Sequence, residues 1–458
     1  MTRGLPARGT RPAPAPPDAR LPPHGSSGAE APPRPPAALY VHVPFCASLC
    51  PYCDFVVLAG ATARGPRSRV DVYLAALLAE LDLRADVLDL RHGPPGTPGR
   101  AVLDSVYLGG GTPSLLPAAA LAAILDRVRA RIGVASDAEV TLEANPGPDE
   151  RGDLRGAVAA GITRVSLGAQ SLDAGELRRI GRRHGPDDVR RSVEEARQAG
   201  VGSVSLDLLY EIPGQAPASW DRTLAAAIAL APDHLSLYAL TLDDPEAEGL
   251  TGPLGDHLPT TPGARRWRER ARVEQDEDAA AACYEAASGV LAAAGYRGYE
   301  ISNWARPGHE SRHNLIYWER RPHEAVGIGA HAFDGRERRW NAARLDGYLA
   351  ALLPPPGTDR PPMLPPGGAE TADERTADAE AVVLALRLDR GIPAEAAEDP
   401  RFAAAIAWAR EIGLLEEARA GAAGPATAGG DVGLHARPRL RLTLRGRLLS
   451  NELFARLV

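Results

Sequence analysis

The sequence contains no lysine and only four cysteines among its 458 residues. Its basic side chains are therefore all arginines, and acidic residues outnumber them to give a net charge of −7 at pH 7. This balance excludes the large basic field that nucleic-acid-binding proteins present. Long apolar runs are also missing, and none approaches the roughly 18 residues that a membrane-spanning helix needs. We therefore expect a soluble chain without nucleic-acid partners or transmembrane segments.

Large apolar side chains are nearly absent from residues 1–36, which are rich in Pro, Ala, Arg and Gly. Such a segment cannot offset the entropy that is lost on ordering, so we predict a disordered extension. The segment also lacks the apolar core of a secretory signal. The sequence has few cysteines, and three of them form a loop whose spacing indicates an iron–sulfur cluster, which requires reduced thiols. The expected location is therefore the reducing cytoplasm.

Beyond the extension, helical patterns alternate with short and continuously apolar runs. Such runs are typical of the strands of a parallel sheet that is covered on both faces. Right-handed connections between the strands then curl the sheet. The sequence therefore predicts the α/β class, with a partial (β/α)6 parallel barrel built on strands at 39–43, 102–108, 138–143, 162–167, 203–209 and 234–240.

Composition and pattern divide the rest of the chain. A helix is predicted at 270–294, where alanine is frequent, and a Pro/Gly-rich stretch further on is typical of an interdomain linker. Two helix patterns and an Arg-rich strand pattern then indicate a small helical, winged-helix-like domain, interrupted by a flexible Ala/Gly tract at 419–433. The predicted segments are the partial barrel at 37–268, a helical segment that completes its core at 269–353, the linker at 354–372 and the C-terminal domain at 373–458.

Three of the four cysteines stand close together, directly after the first predicted strand. Cys46, Cys50 and Cys53 have the spacing C-x3-C-x2-C, which lets three thiolates reach three corners of a cubane iron–sulfur cluster. Because such clusters usually take four cysteines, one iron stays open and can bind the amino and carboxylate groups of S-adenosylmethionine. The alternatives are three ordinary buried cysteines or a zinc site, which usually adds a second ligand pair that the sequence lacks. Cys283, in the Ala-rich helix, is expected in the core.

Distinctive residues follow each predicted strand. In parallel α/β folds the ligand-binding residues gather at the carboxyl ends of the strands, so these residues should meet at one mouth. A triple glycine lets the backbone approach a cofactor and hydrogen-bond its amino group, although a tight turn would also explain the glycines. The residues at these strand ends are Cys46, Gly110, Gly111, Thr112, Glu143, Gln170, Asp207 and Ala239.

The cysteine loop resembles that of the radical S-adenosylmethionine superfamily, and within it the coproporphyrinogen-oxidase-like group. The resemblance spans roughly residues 38–454 and implies a 4Fe-4S cluster on the three cysteines with one or two molecules of S-adenosylmethionine. The alternatives are core positions for Tyr40 and Tyr52 and a solvent-facing position for Arg182, which stands beside Arg183 in the sequence. The implied cofactor contacts are Tyr40, Tyr52, Gly110, Gly111, Thr112, Glu143, Gln170, Arg182, Asp207 and Ala239.

A second signature, H-N-x-x-Y-W, begins at His313. Together with a HemN-like C-terminal domain whose last motif ends at Asn451, it resembles the radical S-adenosylmethionine haem chaperones of the HemW type. In that group the signature's histidine is implicated in holding haem, since an exposed imidazole nitrogen can ligate the iron while aromatic neighbours cover the macrocycle. A histidine satisfied by hydrogen bonds at a domain junction is the alternative, and His323 and His331 are other candidate ligands.

The resemblance predicts a haem chaperone, which binds haem and transfers it to apo-haemoproteins. This function is expected to depend on the 4Fe-4S cluster and on S-adenosylmethionine. Oxygen-independent coproporphyrinogen III oxidases have a fourth cysteine two residues after the third, where this chain has Phe55. Coproporphyrinogen III oxidase activity is therefore expected to be missing, and radical decarboxylation of coproporphyrinogen is the alternative function. Radical chemistry on an unrelated substrate is a third. A homodimer and membrane-bound client haemoproteins are compatible with the first expectation.

Overall fold

The computed structural model describes residues 34–60, 68–418 and 438–458. Most of the predicted N-terminal extension and the whole predicted tract at 419–433 lie outside the described residues. Within them, a large sheet packed against helices is followed by C-terminal helices with a separate three-stranded sheet, in the segment predicted as the C-terminal domain. None of the described helices combines the length and the apolar character needed to span a bilayer.

The strands and helices alternate along the barrel as the sequence predicts. The strands are β1 (Ala38–Val43), β2 (Phe45–Cys46), β3 (Leu58–Ala59), β4 (Leu103–Gly110), β5 (Val134–Ala144), β6 (Arg164–Gln170), β7 (Ser203–Tyr210), β8 (His234–Ala239), β9 (Arg297–Gly298), β10 (Asn303–Ala305), β11 (His323–Val326), β12 (His331–Phe333), β13 (Glu337–Asn341), β14 (Gly367–Thr371), β15 (Ile392–Pro393), β16 (Leu415–Ala418) and β17 (Arg439–Leu442). The helices are α1 (Ser68–His92), α2 (Ala118–Arg131), α3 (Leu154–Ala160), α4 (Ala174–Arg179), α5 (Pro186–Ala199), α6 (Pro217–Ala229), α7 (Pro262–Arg272), α8 (Glu277–Ala293), α9 (Arg312–Trp318), α10 (Leu345–Leu352), α11 (Glu374–Arg387), α12 (Ala403–Glu411), α13 (Leu444–Leu448) and α14 (Ser450–Leu457).

Parallel strands form the centre of the large sheet, in the order β11-β1-β4-β5-β6-β7-β8. All but β11 were predicted from their apolar runs, so the expected α/β fold with a partial parallel barrel is confirmed. Antiparallel strands extend both sides, with β12, β13 and β14 beyond β11, and β10 and β9 beyond β8. In the described part of the chain the sheet stays open, because its first and last strands do not pair.

The main core lies between the central strands and the helices. Along β1, Leu39, Val41 and Val43 are fully buried, and α1 adds Leu77 and Leu81 to the same cluster. Burial of a side chain of this size contributes about 1.5–3 kcal/mol. A strand that is covered on both faces does not alternate apolar and polar residues, which is why these strands appear in the sequence as continuous apolar runs.

The helix predicted at 270–294 is two helices in the structure. α7 ends at Arg272, and α8 begins after Asp276. The side chain of Asp276 accepts hydrogen bonds from the backbone amides two and three residues further on, which caps α8. A capping aspartate followed by acidic residues starts a helix. The residues between the two helices, 273–276, include no glycine or proline that would mark this boundary in the sequence.

The C-terminal domain has its own core and a three-stranded antiparallel sheet in the order β15-β17-β16. Phe402, Ile406 and Leu453 are buried in that core. The predicted linker at 354–372 differs in one respect, because its last residues form β14 and pair with β13 at the edge of the large sheet. Glycine and proline mark this stretch in the sequence, but they do not reveal a partner strand.

A buried carboxylate joins α1 to the antiparallel side of the sheet. Glu80 in α1 is fully buried. It accepts hydrogen bonds of 2.8 Å from the Tyr348 hydroxyl, the Gly327 amide and the Asn341 side-chain amide. Arg84 pairs with it at 3.3 Å. These donors come from α10, β13 and the turn after β11, so one side chain fixes three elements.

We predict that Glu80→Gln lowers the free energy of unfolding by about 3 kcal/mol, because the variant loses the charge that four buried donors require and turns an amide donor toward them. Urea denaturation of the purified protein measures this loss. Glu285→Gln, at an exposed position of α8, is the matched control and should change the stability by less than about 0.5 kcal/mol. Equal stability of the two variants would contradict the role given to Glu80.

Candidate cluster and cofactor site

The cysteine loop begins where β1 ends, and backbone hydrogen bonds hold it against the glycine loop that follows β4. The amides of Gly111 and Thr112 donate to the carbonyl oxygens of Val43 (2.9 Å) and Phe45 (2.8 Å). A β carbon on Gly111 would lie 2.7–2.8 Å from backbone atoms of that strand exit. Only glycine therefore fits at this position, and the two loops are docked directly on each other.

The three thiols of the loop are partly buried. Sγ of Cys46 lies 3.5 Å from the Thr112 hydroxyl, and Sγ of Cys50 lies 3.7 Å from the guanidinium of Arg182. Burial raises the pKa of Cys46 to about 11 and the pKa of Cys53 to about 12. Desolvation thus opposes the thiolate forms, and a cation such as cluster iron would favour them.

The donor set fits an iron–sulfur cluster. The thiols of Cys46, Cys50 and Cys53 all line one cavity. Among the described residues, no three His, Cys, Asp or Glu side chains converge as they would around a single metal ion. A cubane does not require this convergence, because each thiolate binds a different iron. The arrangement is therefore compatible with the cluster that the cysteine spacing predicts.

Arg182 lies against the cysteine loop and is only partly exposed. Its guanidinium donates to Oδ1 of Asn145 (2.5 Å) and to the carbonyl oxygen of Gly168 (2.7 Å), besides its contact with Cys50. The neighbouring Arg183 is exposed. A fixed positive charge at this place favours thiolates and the carboxylate of a zwitterionic cofactor.

The amides of the glycine loop are already used within the protein. Gly110 donates to Oε2 of Glu143 at 3.0 Å, and the next two amides donate to the cysteine loop. A cofactor's ammonium group needs acceptors, so any backbone contact to it would come from carbonyl oxygens and not from these amides. Glu143 is the acceptor that the loop holds at this place.

Glu143, near the end of β5, is a carboxylate whose pKa is raised. Burial and the charge of Asp207 raise the pKa, hydrogen bonds from Tyr107 (2.8 Å) and Gly110 oppose this rise, and the resulting pKa is about 7. A positive charge placed beside this carboxylate would favour its ionised form. The ammonium group of S-adenosylmethionine carries such a charge.

The next two strands contribute Gln170 and Asp207. Gln170 ends β6 with a φ of 64°, next to a shift in the pairing register with β7. A non-glycine residue in this conformation is strained, and such strain concentrates at functional sites. Both carboxylate oxygens of Asp207 accept from the Ser166 hydroxyl at 3.0 Å, and burial raises the pKa of Asp207. These side chains supply acceptors for hydroxyl or ammonium groups.

A cavity of about 700 Å³, here named the cofactor cavity, lies among these residues. The C-terminal domain contributes Arg387, Ser450 and Asn451 to its lining. Sequence reasoning missed Ser166 and Ser205, which also line it, although their position two or four residues before a strand-end site residue places them on the same face. The predicted site residues that line the cofactor cavity are Cys46, Cys50, Tyr52, Cys53, Gly110, Gly111, Thr112, Glu143, Gln170, Arg182, Asp207 and Ala239.

Tyr40, although predicted as a cofactor contact, lies outside the cofactor cavity. Its hydroxyl is 3.1 Å from Nδ1 of His42, and its ring stacks on Tyr107, with 6.2 Å between the ring centroids. Tyr107 lines the cofactor cavity, whereas Tyr40 lines a second cavity. A contact between Tyr40 and the cofactor would therefore be transmitted through Tyr107.

The exposed imidazole nitrogen expected on His313 is not found. The residue is 1% exposed. Its Nδ1 lies 2.9 Å from the Ser105 hydroxyl, and its Nε2 lies 2.8 Å from the Tyr317 hydroxyl. Burial lowers the pKa of His313 to about 3, so the ring is neutral at pH 7. A histidine with both nitrogens hydrogen-bonded can ligate iron only after one of those bonds breaks.

Comparison with known proteins defines the class. The model of the radical S-adenosylmethionine superfamily matches residues 98–227, from just before β4 into α6. The solved coproporphyrinogen III oxidase (HemN) from Escherichia coli, a radical S-adenosylmethionine enzyme, has a TM-score of 0.70 over 94% of this chain and 91% of its own, at 21% identity. That likeness establishes the fold. The fold and the cysteine loop together define a radical S-adenosylmethionine protein.

Haem chaperones named HemW are more similar in sequence. The chaperone from Mycobacterium tuberculosis (strain H37Rv) is 37% identical over 422 residues, which cover 92% of this chain and 94% of that protein. The one from Escherichia coli (strain K12) is 36% identical over 337 residues, which cover 71% and 80%. The chain therefore belongs to the HemW family of radical S-adenosylmethionine haem chaperones.

We predict that Gly111→Ala prevents stable cluster loading, because the added β carbon would push the cysteine loop away from the glycine loop. Iron and sulfide content after anaerobic reconstitution should fall to less than half of the wild-type value, while the far-ultraviolet circular dichroism stays unchanged.

Gly289→Ala is the matched control, since nothing lies within 4 Å of a β carbon at that position of α8. It should load as much iron and sulfide as the wild type. Full loading of Gly111→Ala would show that the docking of the two loops does not govern the cluster site.

Proposed function

We propose that this chain is a haem chaperone, which binds haem and passes it to apo-haemoproteins. The observation that carries the proposal is the similarity to HemW over 92% of the chain at 37% identity. The likeness to the coproporphyrinogen III oxidase, at 21% identity, concerns the fold alone. Haem transfer is therefore the first activity to test, and porphyrinogen oxidation serves as its contrast.

In this proposal Cys46, Cys50 and Cys53 hold a 4Fe-4S cluster, and the cofactor cavity holds S-adenosylmethionine. The bound cluster supplies an electron for the sulfonium of that cofactor. Arg182 and Glu143 are suited to the carboxylate and the ammonium of the cofactor, because they offer the opposite charges inside a partly desolvated cavity. The other proposed contacts are Tyr52, Gly110, Gly111, Thr112, Gln170, Asp207 and Ala239.

The cellular location and the partners of the protein are also proposed. Cluster thiols must stay reduced, which favours the cytoplasm. Apo-haemoproteins, including membrane-bound ones, are the proposed clients, and a homodimer is the proposed assembly. The H-N-x-x-Y-W segment that begins at His313 is proposed to form part of the haem site.

The function is tested by adding ferric haem to anaerobically reconstituted protein and then mixing the complex with apomyoglobin. We expect a saturable change in the haem absorption spectrum, followed by transfer of the haem to the acceptor. Coproporphyrinogen III, incubated in parallel with reductant and S-adenosylmethionine, should stay unchanged. Protoporphyrinogen formation without haem binding would replace the chaperone proposal with the oxidase function.

We predict that S-adenosylmethionine binds less tightly as the pH falls from about 8 to about 6. Over this range Glu143, whose pKa is about 7, takes up a proton and loses the charge that attracts the ammonium group. Glu143→Gln should bind weakly and without this pH dependence, and a tenfold loss would correspond to about 1.4 kcal/mol. Calorimetric titration of the reconstituted proteins measures both effects.

Glu285→Gln is again the control and should keep the wild-type affinity and pH dependence. The role given to Glu143 is wrong if Glu143→Gln binds as tightly as the wild type at pH 8, or keeps the same slope between pH 8 and 6.

A further inference from the structure

A second cavity, of about 510 Å³, lies next to the cofactor cavity. We name it the histidine cavity, because His42, His257, His323 and His331 line it. Phe55, two residues after the last cluster cysteine, lines both cavities and is 64% exposed. The volume lies within the range of about 300–1,000 Å³ that is typical of small-molecule and cofactor sites. Nothing in the proposed cofactor contacts accounts for this cavity.

The walls of the histidine cavity are largely aromatic. Tyr40 from β1, Tyr317 and Trp318 from α9, Phe333 from β12 and the aliphatic Val56 line it. Aromatic rings give a flat ligand a large apolar contact area. These residues come from segments that are far apart in the sequence, and the fold brings them to one place.

Two arginines line the same cavity, as do the carboxylates of Asp256 and Glu380. Arg320 and Arg338 both line it, and each lies 3.3 Å from a carboxylate oxygen of Glu380. Arg338 also pairs with Glu370. A guanidinium group carries five N–H donors, more than these contacts use, so both arginines retain donors for carboxylates of a ligand. The preferred occupant is therefore a flat, apolar molecule with acidic substituents.

Two of the four histidines, His42 and His257, are poorly suited to ligate a metal. His42 uses both ring nitrogens, on the Tyr40 hydroxyl (3.1 Å) and on a backbone carbonyl of the cysteine loop (2.7 Å). His257 and His331 each place one nitrogen on Asp256, at 3.0 and 2.8 Å. The hydrogen bond to Asp256 raises the pKa of His257 and favours its imidazolium, in which neither nitrogen has a lone pair to give. His331 has one nitrogen without this contact, but its side chain is 40% exposed and its ring stacks on Trp340, so it is a competing candidate on the solvent side of the cavity.

His323 differs from the other three. Its Nδ1 lies 3.2 Å from the carbonyl oxygen of Arg321, which can only accept, so Nδ1 carries the proton. Burial lowers the pKa of His323 to about 4, together with the charges of Arg338 and Arg339 and against the opposing effect of this hydrogen bond, so the ring is neutral at pH 7. Nε2 then keeps its lone pair and makes no hydrogen bond within the described residues. Metal-ligating histidines are typically oriented by such a bond from the other nitrogen.

We infer that the histidine cavity holds the haem, with Nε2 of His323 as a ligand of the iron and with Arg320 and Arg338 as partners of the propionates. This inference rests on the proposed function, because it takes haem as the cargo. It places the haem beside the cofactor cavity and not in it, and it leaves that cavity to S-adenosylmethionine. Phe55 of the cysteine loop stands between the two.

His313 is then a positioning residue, which orients Tyr317 and does not bind the iron. Its Nε2 lies 2.8 Å from the Tyr317 hydroxyl. The Tyr317 ring in turn meets the His323 ring edge to face, with 4.6 Å between the centroids. The signature histidine therefore holds the aromatic wall against which the proposed ligand rests, and it does so without touching the iron.

The test is a titration of ferric haem into reconstituted full-length protein, read by absorption and by electron paramagnetic resonance, which reports imidazole on iron. His323→Gln should lose the imidazole signature and weaken binding at least about 10-fold, the scale of changes around metal ligands. His323→Gly should regain the signature when free imidazole is added. His92→Gln, at the end of α1 and outside both cavities, is the control and should match the wild type.

His313→Gln separates positioning from ligation. We expect it to weaken haem binding but to keep the imidazole signature. Loss of the signature in His313→Gln together with its retention in His323→Gln would overturn the inference and return the iron to His313. Loss in His331→Gln alone would overturn it in favour of His331.

Haem dimethyl ester, which lacks the propionate charges, tests the arginines. The wild type should bind haem more tightly than the ester, and Arg320→Gln should reduce that preference because only the free acid can use the guanidinium group. An unchanged preference would contradict the assigned propionate contacts. A wild type that binds no haem refutes the proposed function itself, whereas a wild type that binds haem with an intact signature in His323→Gln refutes only this site.

Discussion

The docking of two loops by a pair of backbone hydrogen bonds is the constraint on which the site depends. Gly111 and Thr112 donate to the carbonyl oxygens at the exit of β1, which fixes where the cysteine loop starts. The lack of a β carbon on Gly111 lets the backbones come this close. Neighbouring parallel strands end at the same edge, so the sheet brings the two loops together before any cofactor is present.

The sequence specifies the parallel core well, because burial on both faces leaves a direct trace in it. Leu39 and Val41 belong to such a run, and all six predicted strands form. β11 was missed because it begins with His323 and Glu324, which do not resemble a buried strand. The boundary between α7 and α8 was missed for a related reason, since a single capping aspartate has little weight where no glycine or proline separates two helical patterns. Both errors concern signals that depend on tertiary partners or on one residue.

The candidate site likewise has residues whose place the sequence predicts and residues whose place it does not. Residues at strand ends, such as Gln170 and Asp207, could be located because topology brings them to one mouth, and they line the cofactor cavity. Tyr52 and Arg182 also line it, but they were expected there only from the resemblance to the superfamily. The hydrogen bonds of His313 could not be predicted from the sequence, because its partner Ser105 lies 208 positions away in the chain. A motif marks a residue as constrained, but it does not say whether the residue binds a ligand or orients another side chain. The hydrogen bonds of its two nitrogens make that distinction.

Phe55 has a consequence for how the two cavities communicate. One side chain borders both, so a ligand that moves this ring on one side alters the space on the other. Equilibrium thermodynamics then demands reciprocity: the factor by which one occupant changes the affinity for the second equals the factor by which the second changes the affinity for the first. With haem in the histidine cavity and S-adenosylmethionine in the cofactor cavity, as proposed, haem loading and release would be coupled to cofactor binding although the two ligands share no contact atom.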